Sequence, residues 1–173
     1  MLALLAGVGI LVLAVVVFGS RDKSTFHDTS GPGQLFADQG TRRLPAGTPH
    51  AGFQYNSDPP TSGPHVVVAI TRDDVDLDTD RLLTVLESGD VVLVYGDRTL
   101  RSRLRDLQND AAGPFDAEVA RAGQAVVLSH SSRFAGKGVV ALAWRHLLRV
   151  SSPNDPALRD FVEFWLGRGA GGT

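Results

Sequence analysis

The sequence predicts an α/β protein, an N-terminal transmembrane helix followed by a small mixed-sheet domain of order β-α-β-α-β-β-α. Three observations carry that prediction. Residues 1–18 contain no polar side chain. Beyond them, short β-branched runs alternate with segments whose leucines recur every three or four residues. Residues that start or stop helices stand at the junctions between these segments.

Eighteen helical residues span roughly 27 Å, close to the hydrocarbon thickness of a bilayer. A cleaved signal peptide is the alternative, but it needs a shorter apolar region and a small-x-small cleavage site, which Phe18-Gly19-Ser20-Arg21 matches poorly. Residues 1–20 therefore read as a retained anchor. Arg21 and Lys23 follow the span, so the positive-inside rule taken literally would put the domain in the cytoplasm. Residues 21–43 are rich in Gly, Ser, Thr, Asp and Gln and read as a flexible tether, in which Leu35 and Phe36 alone are candidates for docking. From Leu44 the composition is domain-like, and residues 44–169 suffice for one hydrophobic core. Residues 170–173 read as a disordered tail.

Within the domain, residues 65–70 form a β-branched run that predicts a buried strand. Asp78 or Thr79 can cap a helix with Leu82, Leu83 and Leu86 on one face, ended by Gly89. Residues 90–95 are apolar on both faces, which predicts a central strand. Asp97 caps a helix carrying the stripe Leu100, Leu104 and Leu107. Residues 111–123 read as a loop or short helix. Residues 125–129 and 138–150 flank Gly136-Lys137-Gly138 and read as antiparallel strands. Asp155-Pro156 opens a last helix with Leu158, Phe161, Val162 and Trp165 inward, stopped by Gly167. One β-α-β unit followed by a hairpin and a closing helix predicts a four-stranded mixed sheet. That order matches a thioredoxin-like arrangement, with another α+β sandwich as the alternative.

The chain has 173 residues, 21% of them charged, and a net charge of −2. That balance argues against nucleic acid as a partner, which would require a basic excess on one face. There is no cysteine, so disulfides, thiolate metal sites and thiol redox chemistry are excluded.

The most distinctive stretch is Asn56-Ser57-Asp58-Pro59-Pro60-Thr61-Ser62-Gly63-Pro64-His65. Three prolines restrict themselves and the residues before them, and Gly63 supplies positive-φ freedom. The result is a stiff loop that delivers a histidine to the following apolar run. With Gln54 and Tyr55 before it, this stretch closely resembles the signature of a bacterial family, domain of unknown function 3105. Further matches are Leu86-Glu87-Ser88-Gly89 with Val91-Val92 and Tyr95, then Ala143-Trp144, then Phe161 with Gly167-Arg168-Gly169. The resemblance covers residues 44–169. It implies a single-span or signal-bearing protein of the bacterial cytoplasmic membrane with its domain outside the cytoplasm, which outweighs the literal charge rule. It also implies histidines at the position of Ser88 and near Arg43-Leu44, so this chain keeps only His65 of three imidazoles that would suit a metal.

Candidate chemistry follows from those residues. Copper or zinc would need three or four ligands, for which His65, His50 and Glu87 are the candidates. A hydrogen-bonded loop anchor is the competing reading of His65. His27 and His130 fall in no metal-ligand spacing, and His146 shares strand parity with Leu142, Trp144 and Leu148, as a core histidine would. Asp76, Asp78, Asp80 and Glu87 have calcium-loop offsets, but Arg81 stands where the loop glycine belongs, so an acidic connector is expected. Arg98, Arg101, Arg103 and Arg105 make one helix basic, a solvated face or a contact for lipid headgroups or an acidic partner. Thr61 and Ser62 near His65 lack the nucleophile elbow of a hydrolase. The reading is thus a non-enzymatic, cofactor-free, membrane-anchored accessory domain. Its contact surfaces would be the proline loop and the arginine helix, and its partners other membrane-protein subunits. A metal-binding domain centred on His65 is the alternative.

Overall fold

The computed structural model describes residues 31–49, 52–131, 133 and 138–171. The expected anchor, the first part of the expected tether, His27, His50 and Gly136-Lys137 lie outside them. Among the described residues no helix is long and apolar enough to cross a membrane.

The elements are β1 (Gln34–Leu35), α1 (Thr79–Ser88), β2 (Val91–Tyr95), a 3-10 turn (Arg98–Leu100) running into α2 (Arg101–Ala112), α3 (Ala117–Arg121), β3 (Val126–His130), β4 (Val139–Ala143), β5 (His146–Val150) and α4 (Pro156–Trp165). They build a five-stranded mixed sheet in the order β1-β5-β4-β2-β3, in which only β2 and β3 run parallel. Every residue of β2 is buried, as expected for a strand flanked on both sides. Its alternate side chains serve two cores. Val92 and Val94 join Leu82, Leu83 and Leu86 of α1, while Val91, Leu93 and Tyr95 join Leu104 of α2 and Leu158, Phe161 and Trp165 of α4. A sheet with helices on both faces follows from that period-two burial.

Local signals set the helix ends where expected. Asp78 accepts the N–H of Arg81 at 2.9 Å and caps α1, and Gly89 ends it at φ +117°. Asp97 and Asp155 cap the segments they were expected to open, and Asp116, which the sequence reading did not single out, caps α3 in the same way.

Three expectations need correction. Residues 65–70 are extended but are not a strand of the sheet. Val66 N–H donates to Asp80 Oδ1 (2.7 Å) and Val68 N–H to Thr84 Oγ1 (3.0 Å), so side chains of α1 take the bonds a ladder would have taken. The β-α-β unit is consequently β2-α2-β3, one unit later than predicted. Second, β3 and β4 are not a hairpin, because β2 lies between them. The hairpin is β4-β5, turned by Trp144-Arg145 with Arg145 at φ +66°. No glycine or asparagine marks that turn, which is why residues 138–150 read as one strand. Third, the chain after Gly31, expected to be tether, forms the edge strand β1. Leu35 pairs with His146, Phe36 packs on the core, and Trp165 Nε1–H donates to Pro32 O at 2.8 Å. At the other end Ala170 N–H reaches Glu87 O at 3.0 Å, so this first residue of the expected tail is docked.

Candidate functional site

The proline motif starts at the surface with Asn56 and Asp58 and then runs inside the molecule. Residues 59–65 are all buried, and Thr61, Ser62 and His65 have no exposed surface. Buried polar groups need partners, and the residues expected as tether supply many of them. Ser62 Oγ accepts the N–H of Gln39 (3.1 Å), Gly63 N–H donates to Gly40 O (3.0 Å), and His65 exchanges main-chain bonds with Arg42 (3.1 Å) and Leu44 (2.8 Å). Asn56 Nδ2–H donates to Ala37 O at 2.7 Å, and Tyr55 O–H to Pro64 O at 2.6 Å. From the hairpin turn, Arg145 N–H donates to Thr61 O at 2.9 Å, and Arg149 donates to Asp58 O. Gly63 sits at φ +129°, where a Cβ would stand 2.9 Å from the Tyr55 ring. The motif is therefore a clasp between residues 37–44 and the β4-β5 hairpin. Of the contact surface expected of it, Asn56 and Asp58 are exposed, while residues 59–65 are buried.

His65 is the inner end of a short polar row. Its Nδ1 lies 3.0 Å from Gly63 O, which can only accept, so Nδ1 carries a proton. Nε2 lies 3.0 Å from Glu87 Oε2, without hydrogen-bond alignment. The other oxygen of Glu87 receives Arg43 Nη2 at 3.2 Å. The fold thus brings together His65, Glu87 and Arg43, the last standing near where the resemblance implies another histidine. Ser88 points elsewhere, donating to Thr84 O at 3.1 Å. Among the described residues no three His, Cys, Asp or Glu side chains are grouped to hold a metal.

The arginine helix is partly tied into the fold. Arg101 pairs with Asp74 (2.5 Å) and Arg105 with Asp73 (2.7 Å), which turns two of the four arginines onto the connector before α1. Gln108, fully buried, donates to Asp73 (2.7 Å) and to Val126 O (2.6 Å), and Tyr95 O–H donates to Asp74. Burial opposes ionisation of Asp74, but the bonds from Tyr95 and Arg101 and the nearby arginine charges outweigh it and hold the carboxyl below its usual range. Burial, then the bond to Asp74, pushes the Tyr95 hydroxyl up to about 12. Arg98, Arg101 and Arg103 remain exposed and Arg105 is half-buried. The neighbouring acids are structural too, since Asp78 caps α1 and Asp80 holds Val66. The connector meanwhile covers the outer edge of β3, with Asp74 N–H on Leu128 O (2.7 Å) and His130 N–H on Val75 O (3.2 Å).

His146, read from the sequence as a core residue, is buried, with Nδ1 2.9 Å from Trp144 O and its ring stacked on Trp165 at 3.7 Å. Sequence reasoning missed Asp90. Asp90 is 1% exposed; Oδ1 accepts the N–H of Ala125 at 2.8 Å, while Oδ2 is buried with no hydrogen-bond partner among the described residues. Burial, partly offset by that one bond, pushes its pKa up to about 7. It follows Gly89 at a junction of glycines. A Cβ on Gly123 would lie 1.9 Å from Ser88 O, and one on Gly169 would lie 2.2 Å from Glu87 O. Gly167 N–H donates to Gly89 O at 2.9 Å. The stretches Leu86-Glu87-Ser88-Gly89 and Gly167-Arg168-Gly169, almost eighty residues apart, thus meet at the end of α1. Glu87 joins them to the first motif: its side chain faces His65 and its carbonyl accepts from Ala170. The geometry makes these stretches one structural assembly.

Residues 48–171 match a family described as protein of unknown function (DUF3105). No curated protein and no solved structure matches the chain.

Proposed function

The chain belongs to the DUF3105 family, and from that premise we propose that it is a membrane-anchored, extracytoplasmic accessory domain that acts by binding other membrane subunits and performs no catalysis. The observation that carries this reading is the run of eighteen residues, 1–18, with no polar side chain, placed ahead of a folded domain. The site geometry supports it, because the groups that could have served chemistry are engaged: Ser62 and Glu87 hold segments together, and the Thr61 hydroxyl is bonded to that of Ser57 within the motif. We also read the strand order β3-β2-β4-β5, with one parallel pair followed by a hairpin and helix α4, as a thioredoxin-like arrangement without its redox cysteines. Extraction of the full-length protein from its native membrane in mild detergent is expected to bring out a stoichiometric set of membrane subunits, read by mass spectrometry. Elution as a lone monomer would refute the accessory reading.

One observation favours a second reading, copper or zinc binding. Ligating histidines commonly fix their outer nitrogen on a carbonyl, as Nδ1 of His65 does on Gly63, leaving Nε2 beside Glu87. Two donors fall short of the three or four zinc takes, and Arg43 already occupies Glu87, so this reading ranks second. It requires micromolar uptake of zinc or copper by the full-length protein in calorimetry, lost in His65→Ala. The expected result is no uptake by either, and saturable wild-type binding would reverse the ranking.

A further inference from the structure

Both edges of the sheet are blunted. β1 is two residues long, and the connector covers β3. Residues 66–70 are not. They form an extended Val-Val-Val-Ala-Ile run without the charge, proline or bulge that native edges carry against pairing. Alternate residues of such a segment present their main-chain groups to opposite sides. Val66 and Val68 turn theirs toward α1, onto Asp80 and Thr84, whereas the main-chain groups of Val67 and Ala69 make no hydrogen bond in the described structure. Val67 is 50% exposed, Ala69 is exposed, and both border an apolar groove of about 300 Å³ with Ile70, Val85 and Ala120.

We propose that residues 66–70 are the edge through which two copies of this chain pair, antiparallel about a two-fold axis at Val68. In this register Val67 of one copy faces Ala69 of the other, twice, and all four open N–H and C=O pairs are used. The larger side chain faces the smaller, and the two grooves join. The other symmetric registers fail on the structure. Centring on Val67 sets Ala69 against His65, whose main chain is already bonded to Arg42 and Leu44. Centring on Ala69 sets Val67 against Thr71, where the chain bends. A five-residue edge and a groove bury less than the roughly 1,200 Å² of a stable complex, so pairing is weak in free solution. It rests on the anchored reading above for the confinement to one membrane that raises effective concentration.

The absence of cysteine makes the test direct. At the axis, Val68 faces its own copy as a non-hydrogen-bonded pair with Cα atoms about 4.5 Å apart, inside the range a disulfide spans. Full-length Val68→Cys in liposomes is expected to cross-link under mild oxidation at least tenfold faster than Leu35→Cys, whose position is 46% exposed on the edge strand β1. Adding Val67→Lys to Val68→Cys should abolish the difference. Wild-type hydrogen exchange at the Val67 and Ala69 amides should slow as the protein-to-lipid ratio rises, which keeps the test valid even where a variant folds poorly. Equal cross-linking at both positions, which association through the anchor alone would give, overturns the proposal, as do a Val68→Cys protein that stays reduced or amide exchange that does not respond. None of these outcomes alters which membrane subunits copurify, so the pairing edge and the accessory reading fail separately.

Discussion

Gly123→Ala is expected to cost on the order of 3–5 kcal/mol, a large fraction of the roughly 5–15 kcal/mol that holds a domain folded. Gly123 has φ +70°, and its added Cβ would stand 1.9 Å from Ser88 O and 2.5 Å from Ser88 C, which are backbone atoms that no rotamer change can move aside. The left-handed conformation alone costs a side chain about 1–2 kcal/mol, and the rest comes from forcing α3 off the end of α1, as overpacking does in any dense interior. Gly47→Ala separates the two contributions. Gly47 has φ +77° in the turn closed by Thr48 N–H on Pro45 O, with nothing among the described residues within 4 Å of where a Cβ would stand. Thermal melts followed by circular dichroism should show a drop of a few degrees for Gly47→Ala and a collapse for Gly123→Ala. Equal drops would mean that the glycine junction is looser than its geometry.

Asp90 makes the second large prediction. An aspartate in the unfolded chain titrates near 3.9, whereas the buried Asp90 carboxyl titrates at about 7. Between those values the folded chain holds a proton that the unfolded chain has released. Its contribution to stability is therefore fully present below pH ~4, is lost as the pH rises through about 7, and is flat above that. The distance between the two titrations sets an upper bound of about 4 kcal/mol on the loss. Asp90→Asn keeps an oxygen for the Ala125 N–H and removes the charge, so it should melt several degrees above wild type at pH 8 and near wild type at pH 4.5. Asp74 does not confuse the reading: its carboxyl is held below the usual range, so its contribution is present above that range and lost only as pH falls into it. A wild-type melting temperature that tracks the variant's from pH 5 to 8 would show that water or movement relieves Asp90.

What the sequence determined by itself is the set of elements whose causes lie within one or two turns of chain. The cap of Asp78 with Gly89, the stripe Leu104 and Leu107, the all-apolar β2 and the Asp155-Pro156 start of α4 were each legible because their bonds and periodicities are local. The stiff turn at Gly63 and the core position of His146 were legible on the same grounds. Tertiary structure alone decided which partner completes each segment. The β-branched run at 66–70 has the composition of a sheet strand, yet Asp80 and Thr84 take its inner N–H groups. Arg145 turns a hairpin with no residue that announces one. Residues 37–44, polar enough to pass for tether, satisfy the buried Ser62, Gly63 and His65. Meetings such as Arg43 with Glu87, or Gly167 with Gly89, join residues 44 and 78 positions apart. Periodicity and capping report what a backbone segment can become. A hydrogen bond or close contact across that distance depends on every intervening element being in place, and so the site exists only in the assembled fold.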